Sequence, residues 1–297
     1  MDRIEEFTEY LKKERRSSKH TVTAYAYDLN QFYSHLSQVS DYPDLLKADH
    51  HDIRSWVISI MDENGYDPRS VNRKVSTLRS FFRYHIRLGN VEVNPTAKVL
   101  SLKTSKKLPM FLEVAQMEQL LNDLKFTDDF SGRRDRLIIE LLYCTGMRRS
   151  ELIGLQDSDI DFSQNQLKVL GKRNKERLIP FSRNLSEMIG LYIEEREDLF
   201  PDLKSELGLL VNDKGEKVNE GFVYRKVNAY LRMVSTLKRK SPHVLRHTFA
   251  THMLNNGADL NSIKEILGHA SLSATQVYTH NSIEKLNKIY KQAHPRA

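Results

Sequence analysis

The apolar residues of the first ninety positions recur at alternating intervals of three and four, the spacing of one face of an α-helix. The clearest run extends from Val22 to Leu36, and shorter runs begin at Ile4 and Ile53. A fourth run begins at Pro68, because proline favours the first helical position, and is closed by Gly89. A chain patterned in this way predicts a compact N-terminal domain of four helices.

The spacing of apolar residues changes further along the chain. Residues 166–170 and 177–181 are short β-type runs on either side of the basic sequence GKRNKE, which predicts a hairpin with a basic tip. Helical spacing resumes after it and continues to the end of the sequence. We therefore expect a mainly α protein whose second domain contains a small antiparallel sheet.

The segment 94–110 has neither helical nor strand periodicity. It has a proline near each end and is rich in lysine and serine, which is typical of an extended basic linker. At 297 residues the chain is long enough for two domains of ordinary size. We predict a helical domain over 1–93, a linker over 94–110 and a second domain over 111–297.

Basic residues are concentrated in two tracts. Residues 69–107 hold ten basic residues and one acid, and residues 225–246 hold seven basic residues and no acid, although the whole chain carries only +7. Two such tracts suit a polyanion held from two sides, and two solvated helix faces would give the same pattern. The candidate DNA contacts are Arg69, Arg73, Lys74, Arg79, Arg83, Lys103, Lys106, Lys107, Arg173, Lys238, Arg239 and Lys240.

The composition argues against a membrane or secreted protein. No apolar stretch approaches the ~20 residues of a bilayer span. The first sixteen residues carry acids where a signal peptide would have an apolar region, and a single cysteine cannot form an intrachain disulfide. We expect a cytoplasmic protein in which that cysteine, Cys144, is a core residue.

The stretch from Ser241 to His280 carries the most chemical information. Ser241 and Pro242 are typical of a helix start, where free backbone N–H groups favour an anion, and His243 and Arg246 share one face of that helix. A second helix ends at Gly268, His269 follows at once, and Tyr278 lies further on. These groups would suit a site that handles a phosphate.

The motifs SPHVLRHTFATHMLNNGADL, EILGHASLSATQVYTH and the terminal HPRA resemble those of tyrosine site-specific recombinases, and most closely the Xer-type chromosome-dimer recombinases. The resemblance extends to TGMRRSEL at 145–152, to GKRNKERLIP at 171–180 and to the helical N-terminal part. It implies a catalytic set of Arg148, Lys172, His243, Arg246, His269 and the nucleophile Tyr278. It also implies the recombinase fold, with a SAM-like N-terminal domain.

The implied chemistry needs these residue types. Two arginine forks can bind the non-bridging oxygens of a phosphate, on which charge grows during attack. Tyr278, a phenol with an ordinary pKa of about 10, must lose its proton as it attacks, and either His243 or His269 could accept it. By analogy Lys172 protonates the leaving 5′ oxygen, and Glu151 could hold Arg148 by an ion pair. We expect no metal and no cofactor, because the cationic side chains supply the positive charge that a metal ion would otherwise supply.

The resemblance also implies partners. Family members close two domains as a C-shaped clamp around duplex DNA and act as a cyclic tetramer, of identical or paralogous subunits, on two specific sites through a Holliday junction. A septal DNA translocase is a further possible partner. The segment 281–292 is expected as a helix that docks on a neighbouring subunit, with packing inside its own chain as the alternative.

Other interpretations share part of the pattern. An integrase or transposase of a mobile element would have the same six residues, a type IB topoisomerase would need no partner site, and a non-catalytic DNA-binding regulator would need no tyrosine. The sequence departs from the family pattern at Arg149, which stands where an apolar residue is usual and could replace Arg148, and at Arg173, which stands where glycine is usual.

Overall fold

The computed structural model describes residues 3–41, 43–62, 65–104, 110–123, 126–171, 176–203, 208–268 and 280–297, with side chains described from 286 onward in the last range. The chain divides into two compact units, Met1–Lys107 and Leu108–Ala297. None of the helices in the described ranges combines the length and apolar composition that a bilayer span requires.

The first unit is built from four α-helices and a short 3₁₀ turn. Their apolar faces meet in one core around Trp56, Phe32 and Phe81, each at most 1% exposed. The sequence periodicity predicted all four helices. In chain order they are α1 (Arg3–Lys13), α2 (Lys19–Val39), α3 (His50–Asp62) and α4 (Pro68–Arg87), followed by the 3₁₀ turn Pro95–Lys98.

Residues 95–102 differ from the extended linker expected over 94–110, of which 105–109 lie outside the described residues. They form the 3₁₀ turn and pack on the first unit, where Thr96 is fully buried and Val99 is 8% exposed. The side chain of Asn72 donates to the carbonyl of Leu102 and accepts from its N–H, each at 2.9 Å. A segment without periodicity therefore still has a defined structure here. The side chain of Asn72 supplies the hydrogen-bond partners that a neighbouring backbone segment would otherwise supply to Leu102.

A buried ion cluster joins α2 to α4. Asp28 is fully buried, and its carboxylate accepts two bonds from the guanidinium of Arg73, at 2.6 and 2.9 Å. Lys74, which is 1% exposed, donates to it at 3.0 Å, and the hydroxyl of Thr77 donates at 2.8 Å. Four donors offset the cost of burying this carboxylate, and its charge balances that of the buried ammonium.

The second unit packs around one central helix. The helix α6 is buried on almost every side and contacts α7, α8, α9 and α10. A helix that other helices cover on almost every side forms the centre of a core. The α-helices of this unit are α5 (Val114–Glu118), α6 (Phe130–Thr145), α7 (Arg149–Gly154), α8 (Arg183–Leu199), α9 (Glu220–Val234), α10 (Pro242–Asn255), α11 (Leu260–Leu267) and α12 (His280–Ala293). A π-turn (Gln119–Asp123) continues α5, and a 3₁₀ turn (Asp157–Asp159) precedes the sheet.

A small antiparallel sheet has the strand order β1 (Ile160–Asp161), β2 (Gln166–Leu170) and β3 (Glu176–Pro180). The sequence predicted β2 and β3 within one residue but not β1, whose two residues are too few to show a period. In the register Leu167 faces Ile179 and Val169 faces Arg177. The buried face of the sheet therefore includes an arginine, which is 3% exposed.

The last helix packs inside its own unit. Leu286, Tyr290 and Ala293 of α12 are at most 3% exposed and belong to the core of the second unit. His294 stacks on the ring of Tyr290 with centroids 4.9 Å apart, and Arg296 forms an ion pair with Glu140 at 2.9 Å. Of the two placements predicted for 281–292, the single chain shows packing within itself, because its apolar face completes this core.

The ion cluster of the first unit gives a stability prediction. Asp28→Ala leaves Lys74 buried without its charge partner, so we expect a loss of about 3–5 kcal/mol in the free energy of unfolding of that unit. Trp56 is the only tryptophan of the chain and is buried there, so its fluorescence during urea unfolding reports that unit alone. Glu9→Ala, which removes two exposed ion pairs on α1, is the control and should leave the midpoint unchanged. Equal midpoints for Asp28→Ala and the unsubstituted chain would contradict the assignment.

Candidate active site

The backbone at Arg148 is fixed by a break between two helices. The helix α6 ends at Gly146, which has φ +60°, and a Cβ added there would lie 2.5 Å from Cδ1 of Phe249, so only glycine fits. The next helix, α7, begins one residue after Arg148, which is its N-cap. The backbone N–H of Arg148 donates to Oε2 of Glu151 at 2.7 Å. The turn between α6 and α7 and the bond to Glu151 therefore fix the backbone position of Arg148.

Glu151 holds two arginines at once. The Nη1 of Arg148 donates to its Oε1 at 2.7 Å, so the expected ion pair is present. A second guanidinium, that of Arg177, donates to Oε1 at 3.0 Å and to Oε2 at 2.7 Å. Burial by itself would raise the pKa of this carboxyl, but its bonds to Arg177 and Arg148 hold the pKa at about 2. Glu151 therefore carries its charge throughout the physiological range.

The second predicted arginine comes from α10. Ser241 is the N-cap, Pro242 is the first helical residue, and Arg246 projects from the second turn with 8% exposure. Its Nη1 donates to the carbonyl of Gly146 and its Nη2 to the carbonyl of Leu267, each at 2.6 Å. Arg148 donates to the next carbonyl, that of Gly268, over a longer 3.5 Å. The two predicted phosphate-binding arginines thus meet at the C-terminal end of α11.

The charges at this point act on one another. Burial, followed by the repulsion of Arg148, lowers the pKa of Arg246 to about 10, so it remains protonated at neutral pH. His243 lies in the first turn of α10, and desolvation by the surrounding protein, followed by Arg246, His247, Arg149 and Arg148, lowers its pKa. The site therefore combines fixed positive charge with an imidazole that is neutral near pH 7. Such a group can accept a proton or donate a hydrogen bond from one nitrogen.

The neighbouring arginine of the RR pair points elsewhere. Arg149 pairs with Glu220 at the start of α9, while Arg148 pairs with Glu151 and reaches the end of α11. About a quarter of the Arg148 side chain, 26%, is exposed. The geometry favours Arg148 over Arg149 as the phosphate ligand.

The remaining predicted catalytic residues, Lys172, His269 and Tyr278, lie outside the described residues, as does Arg173. In the sequence Lys172 and Arg173 stand between β2 and β3, and His269 and Tyr278 stand between α11 and α12. His269 directly follows Gly268, whose carbonyl Arg148 contacts.

The predicted DNA contacts divide into two groups. Most described candidates are exposed or half-buried, although both Nη groups of Arg73 are bound to Asp28: Arg69, Arg73, Arg79, Arg83, Lys103, Lys238, Arg239 and Lys240. Lys74 is the exception. Its assignment as a DNA contact is wrong for this structure, because its ammonium is buried against Asp28 and Gln31 and lies over the rings of Tyr27 and Tyr66. Lys106 and Lys107 lie outside the described residues.

Two groups at the sites were not predicted. The motif resemblance assigns no role to Arg177, although the alternation of β3 puts it on the same face as the apolar Ile179. A charged residue at an inward strand position was the available signal. Asp28 is an acid in the helix α2, and nothing in the local sequence marks it as buried. Its partners lie more than forty residues away in the sequence.

Comparison with known proteins agrees with this architecture. The phage integrase family model matches residues 110–285, and the model of its N-terminal SAM-like domain matches residues 4–89. The chain belongs to the phage integrase family. It is 40% identical to tyrosine recombinase XerC of Staphylococcus aureus, over 100% of this chain and 98% of that protein. The identity to XerC of Chlorobaculum tepidum is 37%, over 98% and 94%.

Solved structures of the family share the fold. The post-cleavage complex of the XerH site-specific recombinase with a palindromic difH substrate superposes with a TM-score of 0.72 at 22% identity, over 96% of this chain and 83% of that one. The predicted fold class and activity are therefore confirmed. This tyrosine recombinase cleaves and rejoins DNA with a mainly helical catalytic domain that contains a three-stranded antiparallel sheet.

The low pKa of Glu151 gives a pH prediction. Its folded-state pKa of about 2 lies below the unfolded value near 4.5, so its ionisation stabilises the fold above pH 4.5 and that contribution is lost as the pH falls toward 2. Glu151→Gln should therefore lower the free energy of unfolding by about 3 kcal/mol at pH 7 and by roughly half that at pH 3. Calorimetric unfolding of the two proteins across this range measures the difference. A difference independent of pH would contradict the charge assignment.

Proposed function

We propose that Tyr278 of this recombinase attacks the scissile phosphate of a DNA strand. The Tyr278 oxygen forms a bond to phosphorus while the bond to the 5′ oxygen breaks, which leaves a 3′-phosphotyrosine and a 5′-hydroxyl. The phenol loses its proton and the leaving oxygen gains one, so atoms and charge balance. The observation that carries this proposal is the meeting of Arg148 and Arg246 at the end of α11, eleven residues before Tyr278 in the sequence.

The two arginines would stabilise the charge that grows on the phosphate. Guanidinium groups bind phosphate oxygens through paired N–H donors, and rigidly held donors need no reorganisation during the reaction. Both side chains are anchored by bonds to backbone carbonyls. Glu151 adds a charged anchor for Arg148 without standing between it and solvent, since part of that side chain is exposed. These contacts would preorganise the two arginines for a phosphate.

Proton transfer is assigned to the remaining polar groups. His243 has a lowered pKa and so accepts a proton or hydrogen-bonds the phosphoryl oxygen at neutral pH, a role it shares with His269. Lys172, by resemblance the general acid, would protonate the 5′ oxygen. Hydrolysis is unnecessary, since the bond energy is kept in the phosphotyrosine and a 5′-hydroxyl from the partner duplex reverses the step. Neither ATP nor a metal is called for.

We further propose that the recombinase resolves chromosome dimers at a specific dif-like site before cell division. The full-length identity of 37–40% to proteins named XerC supports this role over that of a mobile-element integrase. Strand exchange would use a cyclic tetramer, with itself or with a paralogue, on two sites through a Holliday junction, and a septal DNA translocase could activate it. Arg69, Arg83, Lys238 and Arg239 would contact phosphates from solvent-exposed positions.

The nucleophile is tested by covalent trapping. With a nicked suicide duplex, from which the cleaved fragment diffuses away, the unsubstituted recombinase should accumulate a protein–DNA adduct, and Tyr278→Phe should form none while it retains DNA binding. Denaturing gels measure the adduct and gel shift measures binding. An adduct with Tyr278→Phe would overturn the nucleophile assignment. Sequencing of adduct-bearing genomic fragments separates a chromosomal dif-like site from scattered ends of mobile elements.

The assignment of Lys172 as the general acid is tested by changing the leaving group of the substrate. Lys172→Ala should slow cleavage of the ordinary suicide duplex by about 10²-fold or more, because the departing alkoxide then lacks a proton donor. A duplex with sulfur in place of the bridging 5′ oxygen has a leaving group of much lower pKa that needs no proton. It should be cleaved by Lys172→Ala at close to the unsubstituted rate, as measured by single-turnover adduct formation. Equal slowing on both duplexes would assign Lys172 a role other than proton donation.

A further inference from the structure

Three arginines bind three consecutive carbonyls at the end of α11. Arg177 donates from Nε to Ile266 at 2.7 Å, Arg246 donates to Leu267 at 2.6 Å, and Arg148 donates to Gly268 at 3.5 Å. The last carbonyls of a helix have no partner within the helix and form its negative end. Cations therefore gather there, and two of these three are the predicted phosphate ligands.

The third arginine, Arg177, connects the other parts of the site. It is the second residue of β3 and directly follows the hairpin sequence GKRNKE, and its side chain is 4% exposed. Its Nη1 and Nη2 both donate to Glu151, which in turn holds the side chain and the backbone N–H of Arg148. One guanidinium thus joins β3, the start of α7 and the end of α11.

The close packing around this guanidinium allows little displacement. Gly268 has φ +65°, and a Cβ added there would lie 3.1 Å from Nη1 of Arg177. The fork on Glu151 uses both Nη groups and the carbonyl of Ile266 uses Nε. With its donors directed at two elements in fixed directions, Arg177 sets the distance between Glu151 and the end of α11. That distance also determines where Arg148 lies relative to Gly268.

We propose that Arg177 is a positioning residue for DNA cleavage, which holds Glu151 so that Arg148 meets the scissile phosphate beside Arg246. The inference rests on the proposed function of Arg148 as a phosphate ligand. Arg177 itself does not touch the DNA, because both faces of its fork are occupied inside the protein. Arg177 would affect cleavage through the carboxylate of Glu151 alone. Variants of both residues can therefore distinguish this effect from a general loss of stability.

A matched buried arginine exists elsewhere in the unit. Arg196 of α8 forms the same kind of fork, on Asp157 at 3.0 and 2.6 Å, and also donates to a carbonyl, that of Leu209, at 2.8 Å. It is equally buried, at 3% exposure. Its carboxylate partner holds no predicted catalytic residue among the described contacts. Arg196→Gln therefore reproduces the loss of a buried fork without the proposed connection to Arg148.

The experiment is a double-mutant cycle on single-turnover adduct formation with the nicked suicide duplex, at protein concentrations that saturate DNA binding. We expect Arg177→Gln to slow cleavage by about 10²-fold, the size of effect that a misplacement of about 1 Å produces. If the effect passes through Glu151, the double variant Arg177→Gln/Glu151→Gln should be no slower than the slower single variant, within about threefold. Arg196→Gln should lower the melting temperature and leave the cleavage rate within about twofold.

Several outcomes overturn the proposal. Cleavage by Arg177→Gln within twofold of the unsubstituted rate, losses that multiply in the double variant, or an equal slowing by Arg196→Gln would each reduce Arg177 to a structural residue. Should Arg177→Gln not fold, Arg177→Lys takes its place in the same cycle. It keeps the charge but cannot form the fork together with the bond to Ile266. We expect it to cleave more slowly than the unsubstituted protein, and its combination with Glu151→Gln to be no slower than the slower of the two single variants, within about threefold.

A separate readout isolates the link to Arg148. A duplex whose scissile phosphate carries a methyl group in place of one non-bridging oxygen is uncharged, so it depends less on a guanidinium. Arg177→Gln should lose at least tenfold less activity on this duplex than on the ordinary one. Failure of the proposed function would be visible independently, because the unsubstituted chain would then form no adduct or Tyr278→Phe would still form one. The Arg177 variants are interpreted only relative to that unsubstituted rate.

Discussion

The organisation of the catalytic unit depends on one buried carboxylate, that of Glu151. It accepts two bonds from Arg177, one from the side chain of Arg148 and one from the backbone N–H of Arg148. Without this charge, two guanidinium groups and a helix N-terminus would face one another uncompensated in a largely buried place. With it, they form a network in which each donor has a fixed direction. Glu151 therefore allows several cations to be assembled before any phosphate arrives.

The same physical device serves two different purposes in this chain. In the first unit Asp28 gathers Arg73, Lys74 and Thr77, and the cluster joins α2 to α4. In the second unit Glu151 gathers Arg148 and Arg177 next to the end of α11. The difference lies in what the cations can still reach. Lys74 is 1% exposed and remains inside, whereas Arg148 exposes about a quarter of its side chain, 26%, and can meet a ligand.

The sequence predicts those features that depend on local patterns. Helix α2 follows from the spacing of its apolar residues, α10 from Ser241 and Pro242 at its start, and the β2–β3 hairpin from the change of period. The pair Arg148–Glu151 is also local, because its members are three residues apart on one helical turn. Motif resemblance then adds residues that no local rule selects, such as Tyr278.

Features that depend on contacts between distant segments could not be predicted in this way. The basic helix face of α4 includes Lys74, and nothing local distinguishes it from its solvent-exposed neighbours, because its partner Asp28 is on another helix. The two residues of β1 are too short for a period. The sequence motifs assign no role to Arg177, because nothing in its local sequence indicates its partners. Its true environment is created by Glu151 and by the end of α11, 89 residues away.

The end of α11 also explains how an electropositive site can exist without its substrate. Burial, and after it repulsion by the guanidinium of Arg148, lowers the pKa of Arg246. A phosphate would relieve this repulsion, but the protein must fold first. Before a phosphate binds, consecutive carbonyls at the end of α11 and the carboxylate of Glu151 supply the negative potential. Both are part of the protein, so no counterion from solution is needed. In the proposed function, a phosphate would therefore add to the contacts of arginines that the protein already holds in place.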